Sequence, residues 1–179
     1  MHQSLILTAC SVAALASGSA FATQYLSPEE AQRVMYPTAT AFKSQPLVLT
    51  SEQMRQIEQL SGLPARSVQW RVSSAWQGET LMGYVVLDDV IGKYELISYA
   101  VGLNTDATVR QIEILAYRES HGFEIRNPAW RRQFAGKSVQ AGLVVGEGIA
   151  NISGATLSST HVTDGVRRIT AIAQVALKK

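Results

Sequence analysis

Residues 81–90 read Leu-Met-Gly-Tyr-Val-Val-Leu-Asp-Asp-Val, a run rich in valine and leucine that predicts a β-strand. A shorter run before it, residues 68–72, alternates apolar and polar side chains, and residues 94–103 and 109–117 continue the series. Glycines and Asn/Asp clusters punctuate these runs as turns. Four strands at this spacing predict an antiparallel sheet.

Helices are predicted on both sides of the strand series. Residues 27–30, Ser-Pro-Glu-Glu, can form a capping box with proline at the first helical position, and residues 50–53, Thr-Ser-Glu-Gln, begin a second helix. Residues 127–134 form a short helix that starts with Asn-Pro-Ala-Trp. The longest helix is predicted to open at Ser158. Its apolar stripe consists of Val162, Val166, Ile169, Ile172 and Val175.

The first 22 residues contain no Lys, Arg, Asp or Glu. An apolar stretch begins at Leu5, small residues follow it, and Ala20-Phe21-Ala22 matches the small-x-small pattern of a signal-peptidase site. The sequence therefore predicts a signal peptide that is cut after Ala22, and export to the periplasm or another extracytoplasmic location. Three alternatives stay open: an uncleaved anchor that associates the protein with the membrane, a buried N-terminal helix, and a lipoprotein site at Cys10.

The chain is predicted to fold as α+β: an antiparallel sheet with flanking helices and a long C-terminal helix, in a single domain. Its 179 residues suffice for one domain with a sizeable core, and a hydrophobic fraction of 46% is ordinary for a globular protein. We divide the chain into the signal peptide (1–22), an N-terminal helical segment (23–66) and a main unit (67–179), with one globular body from residue 23 onward.

Composition excludes several classes of function. The net charge is only +2, and no basic stripe with interleaved aromatic residues is present, so nucleic acid is not an expected partner. Cys10 is the only cysteine, so a chain cut after Ala22 has no disulfide, no thiolate nucleophile and no cysteine-bound metal. His121 and His161 do not stand at metal-ligand spacing, and we predict no metal site.

The segment Ser153-Gly154-Ala155-Thr156 precedes the final helix. Gly154 permits a backbone geometry that is closed to other residues, and Thr156 offers a hydroxyl close to the helix start. A helix N-terminus presents unpaired amide hydrogens and a partial positive charge, which suits a phosphate group. Serine, threonine and glycine are also common helix caps, so a capped helix without any ligand is the alternative interpretation.

This segment, followed by Leu157-Ser158-Ser159, resembles the flavinylation motif of the FMN-binding domain family. The family includes one subunit each of the sodium-pumping NADH:quinone reductase and the Rnf electron-transport complex, together with related exported proteins. Residues 114–122 resemble the family's strand with its Glu-Thr-Pro-Gly-like turn, and residues 127–137 resemble the helix and turn that follow. The resemblance extends over residues 81–175. Three residues depart from it: Ser120-His121 replace Thr-Pro, and Ala150, followed by Asn151, replaces an Asp.

The resemblance implies that FMN is joined covalently to Thr156 through a phosphoester, and that a flavin transferase installs it from FAD. The main unit, residues 67–179, is then an FMN-binding domain. The residues assigned to the cofactor are Thr156, Ser153, Gly154, Ala155, Leu157, Ser158, Glu119, Ser120, His121, Gly122 and Trp130. No catalytic acid or base is assigned, because the cofactor carries the redox chemistry.

Some of these residues have a second interpretation. Glu119 is either a turn carboxylate or a flavin-site residue, and Trp130 is either a core anchor or a stacking partner. His121 is either a surface histidine or a contact to the flavin edge.

The resulting prediction is an exported electron-transfer protein, rather than a stand-alone enzyme, that works between membrane or periplasmic redox proteins. One alternative is a module of the same fold that has lost flavinylation, as the Ala150 departure would indicate, and serves in interaction or assembly. The other is an FMN-dependent reductase with its own substrate pocket.

Overall fold

A computed structural model of the protein describes residues 23–178. The predicted signal peptide and Cys10 lie outside the described residues. The strands are β1 (Thr23–Gln24), β2 (Ala41–Ser44), β3 (Leu47–Val48), β4 (Gln69–Gln77), β5 (Thr80–Ile91), β6 (Leu96–Asn104) and β7 (Val109–Tyr117). The α-helices are α1 (Pro28–Met35), α2 (Ser51–Ser61), α3 (Pro128–Arg131) and α4 (Thr156–Ile172). Short 3₁₀ turns cover Phe123–Arg126 and Arg132–Phe134, and a π-helical turn, Ala173–Leu177, extends α4.

The strands form one open antiparallel sheet in the order β1-β7-β6-β5-β4-β2, and β3 pairs with β4 beside β2. The four strands predicted from the sequence are β4 to β7, which are central to this sheet. The short strands β1, β2 and β3 were not visible in the sequence pattern. Pro46 lies between β2 and β3 at the sheet edge, where a residue without an N–H group is tolerated. The α+β prediction of a single domain with a long C-terminal helix is confirmed.

The first two helices begin as predicted, because their start signals are local. Ser27 and Glu30 form a capping box at α1, and Thr50 and Gln53 form another at α2. Asn127 caps α3 by accepting the N–H group of Ala129.

The start of α4 was predicted two residues too late. The helix begins at Thr156, and Ser158 is already inside its first turn. Ser158 does not cap the helix because its side chain is buried and its hydroxyl lies 3.2 Å from that of Tyr117. Several Ser and Thr residues are consecutive here, so the sequence alone does not single out the first helical residue.

Helices cover both faces of the sheet, which explains why β5 and β6 are apolar on both sides. On one face, α4 places Val162, Val166, Ile169 and Ile172, all fully buried, against the core, and Val175 packs there partly buried. On the other face, α1 contributes Ala31 and Met35 to a second, smaller cluster. Within residues 23–178, no helix combines the length and hydrophobicity needed to cross a membrane.

Close packing of α4 on the sheet depends on Gly165. A Cβ atom at this position would overlap the hydroxyl of Tyr99. That hydroxyl donates to Asp88 Oδ2 at 2.6 Å. Arg168, on the same helix, is also buried, and its Nε atom donates to the carbonyl of Pro64 at 2.7 Å. These contacts fix where α4 meets the end of the sheet.

Candidate functional site

Three segments meet at one end of the sheet: the β5–β6 hairpin tip (92–95), the turn after β7 (118–122) and the start of α4 (154–158). They enclose a cavity of about 480 Å³, within the range that small-molecule sites occupy. Its walls consist of Lys93, Tyr94, Glu119, Ser120, His121, Gly154, Ala155, Thr156, Leu157 and Ser158. The structure therefore brings together most of the residues that the sequence singled out.

Thr156 is exposed on this cavity and is the first residue of α4. The preceding residue, Ala155, occupies the N-cap position, and among residues 23–178 no side chain caps the helix there. This differs from α1 and α2, which both have capping boxes. Gly154 adopts a φ of 78°, in the left-handed region that glycine favours. The helix N-terminus and the Thr156 hydroxyl are thus presented together at the cavity.

The Thr156 hydroxyl has a polar side chain within hydrogen-bond distance. The Nδ2 atom of Asn151 donates to Thr156 Oγ1 at 3.2 Å, and Asn151 Oδ1 accepts from the hydroxyl of Ser159 at 3.0 Å. Ser159 is fully buried one turn into α4. The sequence identifies Asn151 as the neighbour of Ala150 but does not reveal this contact.

Glu119 is buried and holds the hairpin tip. Its Oε1 atom accepts the backbone N–H groups of Tyr94 at 2.6 Å and Glu95 at 3.0 Å. Burial by itself raises the pKa of this carboxyl group, but the backbone donors and the charge of Lys93 outweigh that effect, so the pKa lies below its ordinary value. The carboxylate is therefore bound to the chain's own backbone, which favours its interpretation as a structural turn residue.

The hairpin tip approaches the turn closely because of Gly92. A Cβ atom there would lie 2.6 Å from Glu119 Oε1 and 3.1 Å from Ser158 Oγ. Next to it, Tyr94 is 76% exposed although its backbone is held by Glu119. Lys93 Nζ lies 4.9 Å from the centre of the Tyr94 ring. Neither of these cavity residues is evident from the sequence, since nothing in the β5–β6 pattern shows which turn faces α4.

The turn after β7 is fixed against α4 by Tyr117. Its hydroxyl donates to the carbonyl of His121 at 2.5 Å and lies 3.2 Å from Ser158 Oγ. Burial raises the pKa of this phenol, and the contact with Ser158 partly offsets the effect. Gly122 has a φ of 87°, and a Cβ atom there would overlap the side chain of Ala155. Gly122 thus lies behind the cavity wall and allows the turn and the helix to touch.

Trp130 and Ser153 are not part of this cavity. Trp130 is 6% exposed, contacts Phe134 edge to face and donates from Nε1 to the carbonyl of Ala150 at 2.8 Å. Together with Asn151 and Ser153 it borders a separate cavity of about 280 Å³. This placement favours the interpretation of Trp130 as a core anchor that supports the segment before α4.

His121 and His161 occupy different positions near the cavity. His121 is exposed in its wall, where Nδ1 lies 2.9 Å from Ser120 Oγ. His161 is further along α4, and its Nδ1 atom donates to the carbonyl of Ile91 at 2.6 Å. His161 therefore ties α4 to the end of β5 and does not line the cavity.

Comparisons with known proteins agree with this geometry. Residues 92–171 match the family model described as FMN-binding domain, a stretch that includes the hairpin tip, the Glu119 turn and Thr156. The crystal structure of Shewanella oneidensis NqrC is similar in fold, with a TM-score of 0.50 and 16% sequence identity over 81% of this chain and 88% of that chain. No curated protein matches the chain in sequence. Within residues 92–171, this chain is therefore similar to the FMN-binding domain family.

Proposed function

We propose that this protein is an exported electron-transfer flavoprotein that carries FMN in phosphoester linkage to Thr156. One observation supports the proposal above all: the exposed Thr156 hydroxyl stands at the start of α4, where Ala155 provides no side-chain cap, on a cavity of about 480 Å³. The match of residues 92–171 to the FMN-binding family supplies the ligand class.

The residues around Thr156 are compatible with a phosphodiester. Such a group keeps one negative charge, which the N-terminus of a helix stabilises by about 0.3–1 kcal/mol. Lys93 adds a positive side chain to the same cavity. In the same cavity wall, the Oε1 atom of Glu119 already accepts two backbone N–H groups of the hairpin. These features favour an anionic ligand at the start of α4.

The chain's part in the reaction is to hold and orient the cofactor. Bound FMN supplies the capacity to accept and release electrons, and the protein contributes position and polarity. The hairpin tip and the turn after β7 form two walls of the cavity and shield it in part from water. Covalent attachment would keep the cofactor on the protein outside the cytoplasm, where a dissociated flavin is lost.

Export and partners follow from the same proposal. A cut after Ala22 would leave Thr23 as the first residue, and β1 pairs Thr23 with Tyr117 and Gln24 with Ala116. The mature chain would therefore keep its edge strand. The expected partners are a flavin transferase for maturation, and redox proteins at the membrane or in the periplasm for electron exchange.

The attachment is tested by expressing the full chain with a flavin transferase and measuring the intact mass of the exported protein. We expect a mass increase equal to FMN less one water, absent in Thr156→Val. Thr160→Val, a matched change one turn further along α4, should keep the adduct. A bare wild-type protein in cells that flavinylate another domain of this family would refute the proposal and favour the interaction module.

A further inference from the structure

We propose that Asn151 is a positioning residue for the flavinylation of Thr156: its side-chain amide holds the hydroxyl that receives the flavin phosphate. This inference rests on the proposed attachment at Thr156 and deepens it. The two residues are joined by the hydrogen bond from Asn151 Nδ2 to Thr156 Oγ1, at 3.2 Å. Among residues 23–178, this is the side-chain hydrogen bond that reaches the acceptor oxygen.

The orientation of the Asn151 amide is set by Ser159. The hydroxyl of Ser159 lies 3.0 Å from Asn151 Oδ1 and 3.0 Å from the carbonyl oxygen of Thr156. Both of these oxygens can only accept, so the single hydroxyl proton of Ser159 is shared between them. With Oδ1 of Asn151 facing Ser159, its NH₂ group faces Thr156. Because Ser159 is fully buried in α4, this arrangement is anchored in the helix.

The direction of the hydrogen bond has a chemical consequence. Thr156 Oγ1 accepts from Asn151, so the hydroxyl proton of Thr156 points away from Asn151 and stays available to a base of the transferase. In the transfer, the Thr156 oxygen forms a bond to the flavin-side phosphorus of FAD, and the bond to the bridging oxygen between the two phosphates breaks. AMP leaves, and the threonine proton is released. An N–H donor on Oγ1 stabilises the negative charge that grows there as the proton departs.

Asn151 does not have to touch FAD for this effect. It acts through the position and charge of the threonine oxygen, so its loss should reduce the rate of transfer more than the affinity for FAD. A purely structural role in the turn before α4 would instead appear as reduced stability. Rate, FAD dependence and thermal unfolding together therefore separate the two roles.

The experiment uses the full chain in its unmodified form, incubated with purified flavin transferase and FAD, with adduct formation followed by intact mass. For Asn151→Ala we expect the transfer rate at saturating FAD to fall about tenfold, as the loss of one hydrogen bond allows. The half-saturating FAD concentration and the thermal unfolding midpoint should not change. Asn104→Ala is the matched control. Asn104 Nδ2 also donates to a threonine hydroxyl, Thr108 Oγ1, at a distance of 2.9 Å, and neither residue lines the cavity. The transfer rate of this variant should equal that of the wild type.

Two further variants test the donor role itself. Asn151→Asp keeps the shape but removes the donor at neutral pH, so its rate relative to the wild type should be as low as that of Asn151→Ala. The transfer rate of Asn151→Asp relative to the wild type should recover in part at a pH low enough to protonate the new carboxylate. Ser159→Ala should reduce the rate in the same sense, and combining it with Asn151→Ala should cause little further loss.

A wild-type transfer rate in Asn151→Ala, or in Asn151→Asp at neutral pH, would overturn the inference. The proposed attachment at Thr156 would not be affected by that result. Failure of the wild type to form any adduct would instead overturn the proposed function, and this inference with it. A parallel loss of stability and rate in Asn151→Ala would also overturn it, in favour of a structural role.

Discussion

Glu119 Oε1 lies 2.6 Å from the backbone nitrogen of Tyr94, so a side chain from the turn after β7 holds the tip of the β5–β6 hairpin. The two residues lie 25 positions apart in the chain. The contact gives a buried carboxylate its hydrogen-bond donors and gives an exposed tyrosine a fixed backbone. The cavity wall opposite Thr156 is therefore tied to the body of the protein.

Removing this carboxylate should destabilise the fold. Glu119→Ala eliminates the hydrogen bonds to Tyr94 and Glu95 and leaves two N–H groups to be solvated by water. We expect the free energy of unfolding to fall by about 1–3 kcal/mol, measured by urea denaturation. Glu124→Ala, which removes an exposed carboxylate a few residues further on, should change it little. Equal stability of the two variants would show that the Glu119 contact contributes nothing.

The same carboxylate predicts a pH dependence of stability. The pKa of Glu119 is lower in the folded protein than its ordinary value of 4.5. Its contribution to the free energy of unfolding is therefore complete above pH 4.5. The contribution decreases as the pH falls below 4.5, and it is gone once the pH is below the pKa of the folded protein. In urea titrations between neutral and acidic pH, the free energy of unfolding should fall less in Glu119→Gln than in the wild type. A parallel pH dependence of the two proteins would exclude Glu119 as its source.

Tyr94 should shield the flavin in the loaded protein. Its ring is 76% exposed at the cavity edge and has a fixed backbone, so it is available to contact a bound ring system. In flavinylated Tyr94→Ala we expect iodide to quench the flavin fluorescence several-fold more strongly than in the wild type. Tyr25→Ala is the control, because Tyr25 packs against Arg126 and does not line the cavity. Unchanged quenching in Tyr94→Ala would contradict the proposed position of the flavin.

Gly165→Ala should destabilise the protein even though alanine is the better helix former. The added methyl group would overlap the hydroxyl of Tyr99 and push α4 away from the sheet. The expected loss is about 1–3 kcal/mol, typical of overpacking, and thermal or urea unfolding measures it. Combining the change with Tyr99→Phe removes the overlapping oxygen, so the double variant should lose less than the sum of the single variants. If the losses of the two single variants simply add, the new methyl group is accommodated elsewhere and does not press on the Tyr99 hydroxyl.

The secondary structure was predictable where its signals are local. The capping boxes of Ser27 and Thr50 act within four residues, and β5 and β7 are long enough for their apolar composition to be visible. The strands β1 and β3 have two residues each, too few for any periodicity, and they exist because longer strands offer them a partner. The start of α4 was misplaced by two residues because Thr156, Ser158 and Ser159 compete as start signals.

Several site residues could also be predicted, because they lie in continuous segments. Thr156 and its neighbours form one such segment, and Glu119 to His121 form another. Each resembles a family motif, although Ser120 and His121 depart from it. Lys93 and Tyr94 could not be found this way. They enter the cavity only because the β5–β6 hairpin ends on the side of the sheet where α4 begins.

Short-range order in the chain was sufficient to specify the central strands, the helix starts and the threonine motif, since these depend on contacts within a few residues. Packing in three dimensions was needed to bring Glu119 to Tyr94 and Asn151 to Ser159, to bury Arg168, and to move Trp130 out of the cavity. The physical reason is that each of these contacts depends on how α4 and the loops dock on the sheet. This docking depends on many weak contacts between residues far apart in the chain, so no local sequence pattern predicts it.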